Sequence, residues 1–231
     1  MRYFILIVFF MSFPIWSQTN FDKAENCFKL EKYEQAKPLF EKFLAQHPND
    51  VKSIEYLGDI LCHLGKWEAA IPYYEKLKKL KPAEAEYQYK FGGALAMVAK
   101  ESNKIKALSL IGDVKESFQK ALVLNPNHIG ARWALIEIYL QLPGIFGGSE
   151  SKAIQYSSEL LKISPVDGYL SRGHIEEYFE RYANAEKQYK NAIGIGNSQT
   201  TYQKLADLYK NKMQQPEKAR RILAAFNKNN L

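Results

Sequence analysis

The sequence predicts an all-α protein, a right-handed solenoid of about six helical hairpins. Three observations carry that prediction. First, a pattern recurs at a 34-residue interval: Ala36, Phe40, Phe43 and Pro48 return as Ala70, Tyr74, Leu77 and Pro82. Second, an aromatic residue stands three places before each Ala, Tyr33 in one case and Trp67 in the other. Third, no Gly/Ser-rich or Pro-rich stretch divides the chain, so the units belong to one continuous stack. Self-similarity of this period marks stacked repeats in which each unit packs on its neighbours.

Each element has a physical reason. In the second unit, residues 51–84, Leu57, Gly58 and Leu61 mark the apolar stripe of a first helix, and Gly65 breaks it. The small Ala70 lets the second helix approach closely, and Tyr74 lies one turn further along the same face. Pro82 ends that helix and opens the next unit. Residues 19–50 read the same way. Residues 85–128 carry Phe118, Ala121 and Pro126, with Val114 where Ala is expected. Residues 129–165 carry Ala153, Leu160 and Pro165, with Ser157 in the aromatic slot. Residues 166–198 show Tyr182, Ala185, Tyr189 and Ala192. Residues 199–231 show Tyr202, Leu205, Ala206, Tyr209, Ala219, Leu223 and Phe226. This arrangement resembles the tetratricopeptide repeat, with its W-x2-L-G-x2-Y…A-x3-F…P pattern, and the chain looks like an exported bacterial member.

The spacing of the unit-ending prolines adds detail. Pro48 to Pro82 is 34 residues, Pro82 to Pro126 is 44 and Pro126 to Pro165 is 39. The third unit thus gains length that reads as helix, because Ile105, Leu108, Ile111, Val114, Phe118 and Ala121 keep a three-to-four spacing. The fourth gains the loop LPGIFGGS, residues 142–149. Both insertions fall between the two helices of a hairpin and are expected side by side on one edge. Ile145 and Phe146 are expected to tuck under the long hairpin. Gly147, Gly148 and Ser149 precede a helix, where their amides would suit an anion or simply form a turn and cap. Phe146, Gly147, Gly148 and Ser149 are the loop-site residues of this reading.

Residues 1–17 stand outside the repeats. Arg2 precedes an apolar run of about fourteen residues, interrupted by Pro14, which fits a secretory signal cleaved between Ser17 and Gln18. The expected location is periplasmic or secreted. Cys27 and Cys62 then meet an oxidising compartment, but their offsets in the first helices differ by one residue, about 100° of rotation. They read as a bridge or as two small packed thiols.

Formal net charge is +7, from 32 Lys and Arg against 25 acids interspersed along the helices. That is a solvated helical surface. The densest run, Lys76, Lys78, Lys79 and Lys81, sits at a helix end, where cations suit the dipole. It also offers a contact to an anionic envelope surface. Nothing in the pattern favours nucleic acid. Hydrolase, zincin and P-loop motifs are absent, and His47, His63, His128 and His174 are scattered over different units, so no catalysis, cofactor or metal is expected.

The resemblance implies function. First helices of such repeats line a concave groove that holds peptides. The groove positions here are Phe21 and Glu25, Glu55 and Asp59, Tyr89, Trp133 and Glu137, His174 and Glu177, then Gln203 and Asp207. Glu25 and Asp59 stand where a carboxylate clamp would need Asn or Lys, which argues against such a clamp. Two readings remain for the acids: they select a basic or mixed extended segment with Tyr89 and Trp133 as anchors, or they pair with neighbouring Lys. The leading function is a non-catalytic protein-binding scaffold of the envelope. The alternative is an accessory protein that takes a small apolar or anionic molecule at the inserted hairpin and the 142–149 loop.

Overall fold

The computed structural model describes residues 20–229. The signal segment and its cleavage site lie outside the described residues. Twelve α-helices form six antiparallel hairpins, and no strand occurs among the described residues. They pair as α1 (Asn20–Lys29) with α2 (Tyr33–Gln46), α3 (Val51–His63) with α4 (Trp67–Leu80), and α5 (Ala85–Glu101) with α6 (Lys104–Leu124). Then come α7 (Ile129–Gln141) with α8 (Glu150–Ile163), α9 (Pro165–Tyr178) with α10 (Tyr182–Gly196), and α11 (Gln199–Asp207) with α12 (Pro216–Asn229). The chain ahead of α12 adds one π turn, Leu208–Lys212. Each helix packs mainly on the helices before and after it, which makes an all-α solenoid.

The repeat residues build the core. Ala24, Ala36, Ala70, Ala121, Ala153, Ala185 and Ala192 are fully buried, with Phe40 and Leu77 beside them. Small residues on first helices receive the aromatic rings of second helices. A Cβ on Gly58 would stand 2.7 Å from the Tyr74 ring, and one on Gly173 would stand 2.4 Å from the Tyr189 ring. The fourth hairpin reverses this. Gly58 and Gly92 are the eighth residues of α3 and α5, whereas the eighth residue of α7 is Ile136, fully buried. Its partner helix carries Ser157 in the aromatic slot, so bulk moves from one helix to the other. Ser157 donates to the Gly168 carbonyl at 3.2 Å and accepts from the Ser171 hydroxyl at 2.9 Å, so the buried hydroxyls are satisfied.

Turns within three of the hairpins share one solution. Glu31, Gly65 and Glu180 all adopt positive φ two residues past a helix end. The next amide reaches back five residues in each case, Lys32 to Cys27, Lys66 to Leu61 and Arg181 to Glu176, which satisfies the last carbonyls. Asp50, Asn103, Ser149 and Ser198 cap the helices that follow them. The third hairpin is the longest, with 17 residues in α5 and 21 in α6, so the extra length predicted there is helical.

Candidate functional site

The predicted groove residues fall on successive first helices, and all but Gln203 and Asp207, which bond to each other within α11, meet a side chain from an adjacent helix or unit. On α1, Glu25 accepts from the Tyr56 hydroxyl at 3.0 Å and from Lys29 at 2.9 Å. Those bonds, Lys29 first, hold its carboxyl below the usual range. Burial, then the bond to Glu25, pushes the Tyr56 phenol up to about 12. On α3, Glu55 and Asp59 share one cation. Lys90 Nζ from α5 lies 2.6 Å from Glu55 Oε1 and 2.7 Å from Asp59 Oδ2. Tyr87 donates to Glu55 at 3.2 Å and Tyr74 donates to Asp59 at 2.8 Å. Burial works to lower the Lys90 pKa, but the two carboxylates outweigh it and the net shift is upward, so the ammonium stays charged.

Further along, the Trp133 indole donates to Asp167 at 2.9 Å, and its ring centroid lies 6.4 Å from that of His174. His174 Nε2 lies 2.7 Å from Glu137 Oε1 and is the main cause that holds the Glu137 carboxyl below its usual range. Glu177 accepts from the Tyr189 hydroxyl at 2.8 Å. Tyr89 is half-buried; it packs 4.8 Å from the His128 ring and 5.7 Å from Phe118, over Gly130. Of the site residues, the structure therefore unites Glu55 with Asp59, and Trp133 with Glu137 and His174. It leaves Glu25, Tyr89 and Glu177 in separate contacts.

Lys90 is the residue that sequence reasoning missed. A signal existed: Tyr56 to Glu25, Lys90 to Asp59 and Trp133 to Asp167 all join residues 31 or 34 places apart, close to one period. The face is thus a ladder of hydrogen-bonded polar groups in which carboxylates still outnumber cations, since Glu55 and Asp59 share Lys90 and Glu177 meets a phenol.

The 142–149 loop corrects two expectations. Ile145 is 87% exposed and Phe146 45%, so neither tucks under the long hairpin. A three-residue 3-10 turn, Gly144–Phe146, closes on the Pro143 carbonyl and directs both side chains outward. Nor do the three amides present themselves to an anion. Gly147 donates to Gly144, Gly148 to Pro143 and Ser149 to Tyr139, at 2.9–3.1 Å. Gly147 supplies a φ of +90°, and a Cβ on Gly148 would collide with the Leu142 carbonyl at 1.7 Å, so both glycines serve the turn itself.

An open cavity of about 540 Å³ lies beside this loop, between the ends of α5 and α7 and the start of α6. Met97, Ile111, Val114, Ile138 and Leu142 give it an apolar lining. Cys27 and Cys62 are both free and partly buried; burial raises the Cys62 thiol pKa, and its sulfur lies 3.3 Å from the Tyr74 hydroxyl.

Residues 16–85 match the family model described as tetratricopeptide repeat. No curated protein matches the chain. Among solved structures, MamA is 23% identical, with a TM-score of 0.58 over 76% of this chain and 88% of that one. PilW, described as a widely conserved type IV pilus biogenesis factor, is 16% identical with a TM-score of 0.65 over 91% of both chains. YrrB, described as a TPR protein with an unusual peptide-binding site, is 17% identical with a TM-score of 0.54 over 79% of this chain and 87% of that one. Identities this low speak for the fold alone. Residues 16–85, the first two hairpins, thus match the tetratricopeptide-repeat sequence model, and the stack as a whole has the fold of tetratricopeptide-repeat structures.

Proposed function

We propose that this protein is a non-catalytic scaffold that holds an extended segment of a partner polypeptide along the face formed by its first helices. The reading includes export to the envelope, on the strength of the apolar run at residues 1–17. One observation carries the binding proposal. Polar side chains on consecutive first helices recur at about one period and are already locked by their neighbours, as in Glu25 with Tyr56 and Asp59 with Lys90. A ladder fixed in advance loses little side-chain freedom on binding. Because its carboxylates outnumber its cations, it suits a segment that is basic or mixed in charge.

The test is capture from the envelope extract of the source cell by the immobilised chain, beside a Glu55→Lys, Asp59→Lys, Glu137→Lys variant with a matching circular dichroism spectrum. A polypeptide retained by the parent and lost by the variant supports the reading. An identical retained set at low salt overturns it. Detection of the amino-terminal residue in the exported form checks the location: a mature chain starting near Gln18 is expected, and a cytoplasmic chain retaining Met1 contradicts it.

A further inference from the structure

We infer that the edge formed by the third hairpin and the 142–149 loop is a second docking surface, one that takes an acidic amphipathic helix from a partner polypeptide. The surface meets the first-helix ladder at Glu137, which lines its cavity, and otherwise belongs to the insertions that set this chain's third and fourth units apart.

Three observations lead there. The first is apolar exposure. Ile145 at 87% and Ile105 at 83% are the most exposed large hydrophobic side chains among the described residues, and Leu108 and Phe146 add 38% and 45%. Leu142, at the start of the loop that carries Ile145 and Phe146, lines the apolar cavity of about 540 Å³, as does Ala107 next to Leu108, whereas Ile105 lies about 160° round α6 from Ala107 and faces away from it. A small molecule of the size such a cavity holds would leave Leu108 and Ile145 in water. A macromolecular segment covers cavity and collar together.

The second is charge. Of the acids of the edge, Glu150 pairs with Arg181 at 2.6 Å, Glu101 accepts from the neutral Trp67 indole at 3.0 Å and Glu137 lies 2.7 Å from His174. Asp113 and Glu116 act on Lys78 of α4, on the other flank of α6. Lys100 lines the cavity and Lys104 precedes Ile105, and neither meets a carboxylate among the described residues. Lys115 and Lys152 sit over the Tyr139 ring beside the loop, each 5.2 Å from its centroid. Lys100, Lys104, Lys115 and Lys152 outnumber the carboxylates Glu101 and Glu137, so the edge is net positive, which favours an acidic partner.

The third is hydrogen bonding. The walls are helices whose backbone groups are already paired, and apart from Lys100, Glu137 and Gln141 the lining is apolar. An extended strand would bury amides without partners there. A helix satisfies its own backbone and lays one apolar face into the groove.

The test is selection from a displayed library of peptides of about 15 residues against the full chain, with binding of the enriched peptides then measured by fluorescence anisotropy. Acidic amphipathic helices are expected to be enriched. Ile145→Asp and Lys100→Glu, both at exposed positions, should each weaken them at least about tenfold, and Glu55→Lys with Asp59→Lys should leave them unchanged. Enrichment of basic or non-amphipathic sequences, no enrichment, or equal binding by both edge variants overturns the inference. Sedimentation with phosphatidylglycerol vesicles that Ile145→Asp abolishes, displacement of the enriched peptides only by the ladder variant, or a concentration-dependent dimer lost in Ile145→Asp would each reassign the edge and overturn it as well.

Discussion

Replacing Lys90 with Met removes one charge while keeping most of the stem. The ammonium it removes serves both Glu55 and Asp59, at 2.6 and 2.7 Å. Charge-assisted hydrogen bonds contribute about 1.5–3 kcal/mol each, and breaking a fully buried pair from one side costs about 3–5 kcal/mol. These carboxylates keep 29% and 24% exposure and the hydroxyls of Tyr87 and Tyr74 stay in place, so water and phenols replace part of what Lys90 supplied. The expected loss is about 2–3 kcal/mol at neutral pH. That is a fall of roughly 4–12 °C in Tm for a chain of this size. Urea unfolding followed by circular dichroism reads it directly. The pH dependence is the sharper signature. In the variant, two carboxylates one turn apart on α3 face each other without a counter-ion, and taking up a proton relieves the folded state more than the unfolded one. Stability of the variant relative to the parent should therefore fall as pH rises through about 4–5 and recover as it drops. Adding Glu55→Gln and Asp59→Asn to Lys90→Met should restore most of the loss. A Lys90→Met protein within about 0.5 kcal/mol of the parent at pH 7, or a penalty independent of pH, would refute the shared-cation account.

Two further predictions concern the core and the acid limb. Gly173→Ala should destabilise by about 1–2 kcal/mol, because overpacking against the Tyr189 ring outweighs the helix propensity gained. Gly112→Ala, mid-α6 with nothing within 4 Å, should stabilise by about 0.5–1 kcal/mol; shifts of the same sign in urea midpoint would refute the contrast. The Glu137 carboxyl is held below its usual range by His174, so its contribution is present above the ordinary glutamate pKa and lost as pH falls through the folded value. Glu137→Gln should then flatten the stability profile between about pH 5 and 3, and parallel profiles for parent and variant would count against it.

The fold was legible because its signal is redundant. Ala70, Tyr74 and Leu77 declare a hairpin by spacing alone, and each recurs at buried positions along the stack. Even the departures were structural: Ser157 in an aromatic slot reports Ile136 across the hairpin, a swap that preserves volume and is visible only when both helices are compared. The site was less legible, because its chemistry depends on pairs about one repeat apart. Glu55 and Asp59 read as a negative patch until Lys90 is carried across from α5. The loop was misjudged for a different reason. Apolar side chains such as Ile145 usually seek cover, and composition does not reveal that a three-residue turn aims them outward.

The long third hairpin has a consequence for the order in which the chain assembles. Helix formation rewards length, since the first turn is costly and each added residue is not. The pair α5–α6, with 17 and 21 residues, is the best-provided place for structure to begin. In a stack whose units hold only their neighbours, order can spread from such a seed in both directions. Amide exchange in the native protein should then trace a gradient, slowest near the middle hairpins and fastest in α1 and α12, which among the described residues have a neighbouring hairpin on one side only.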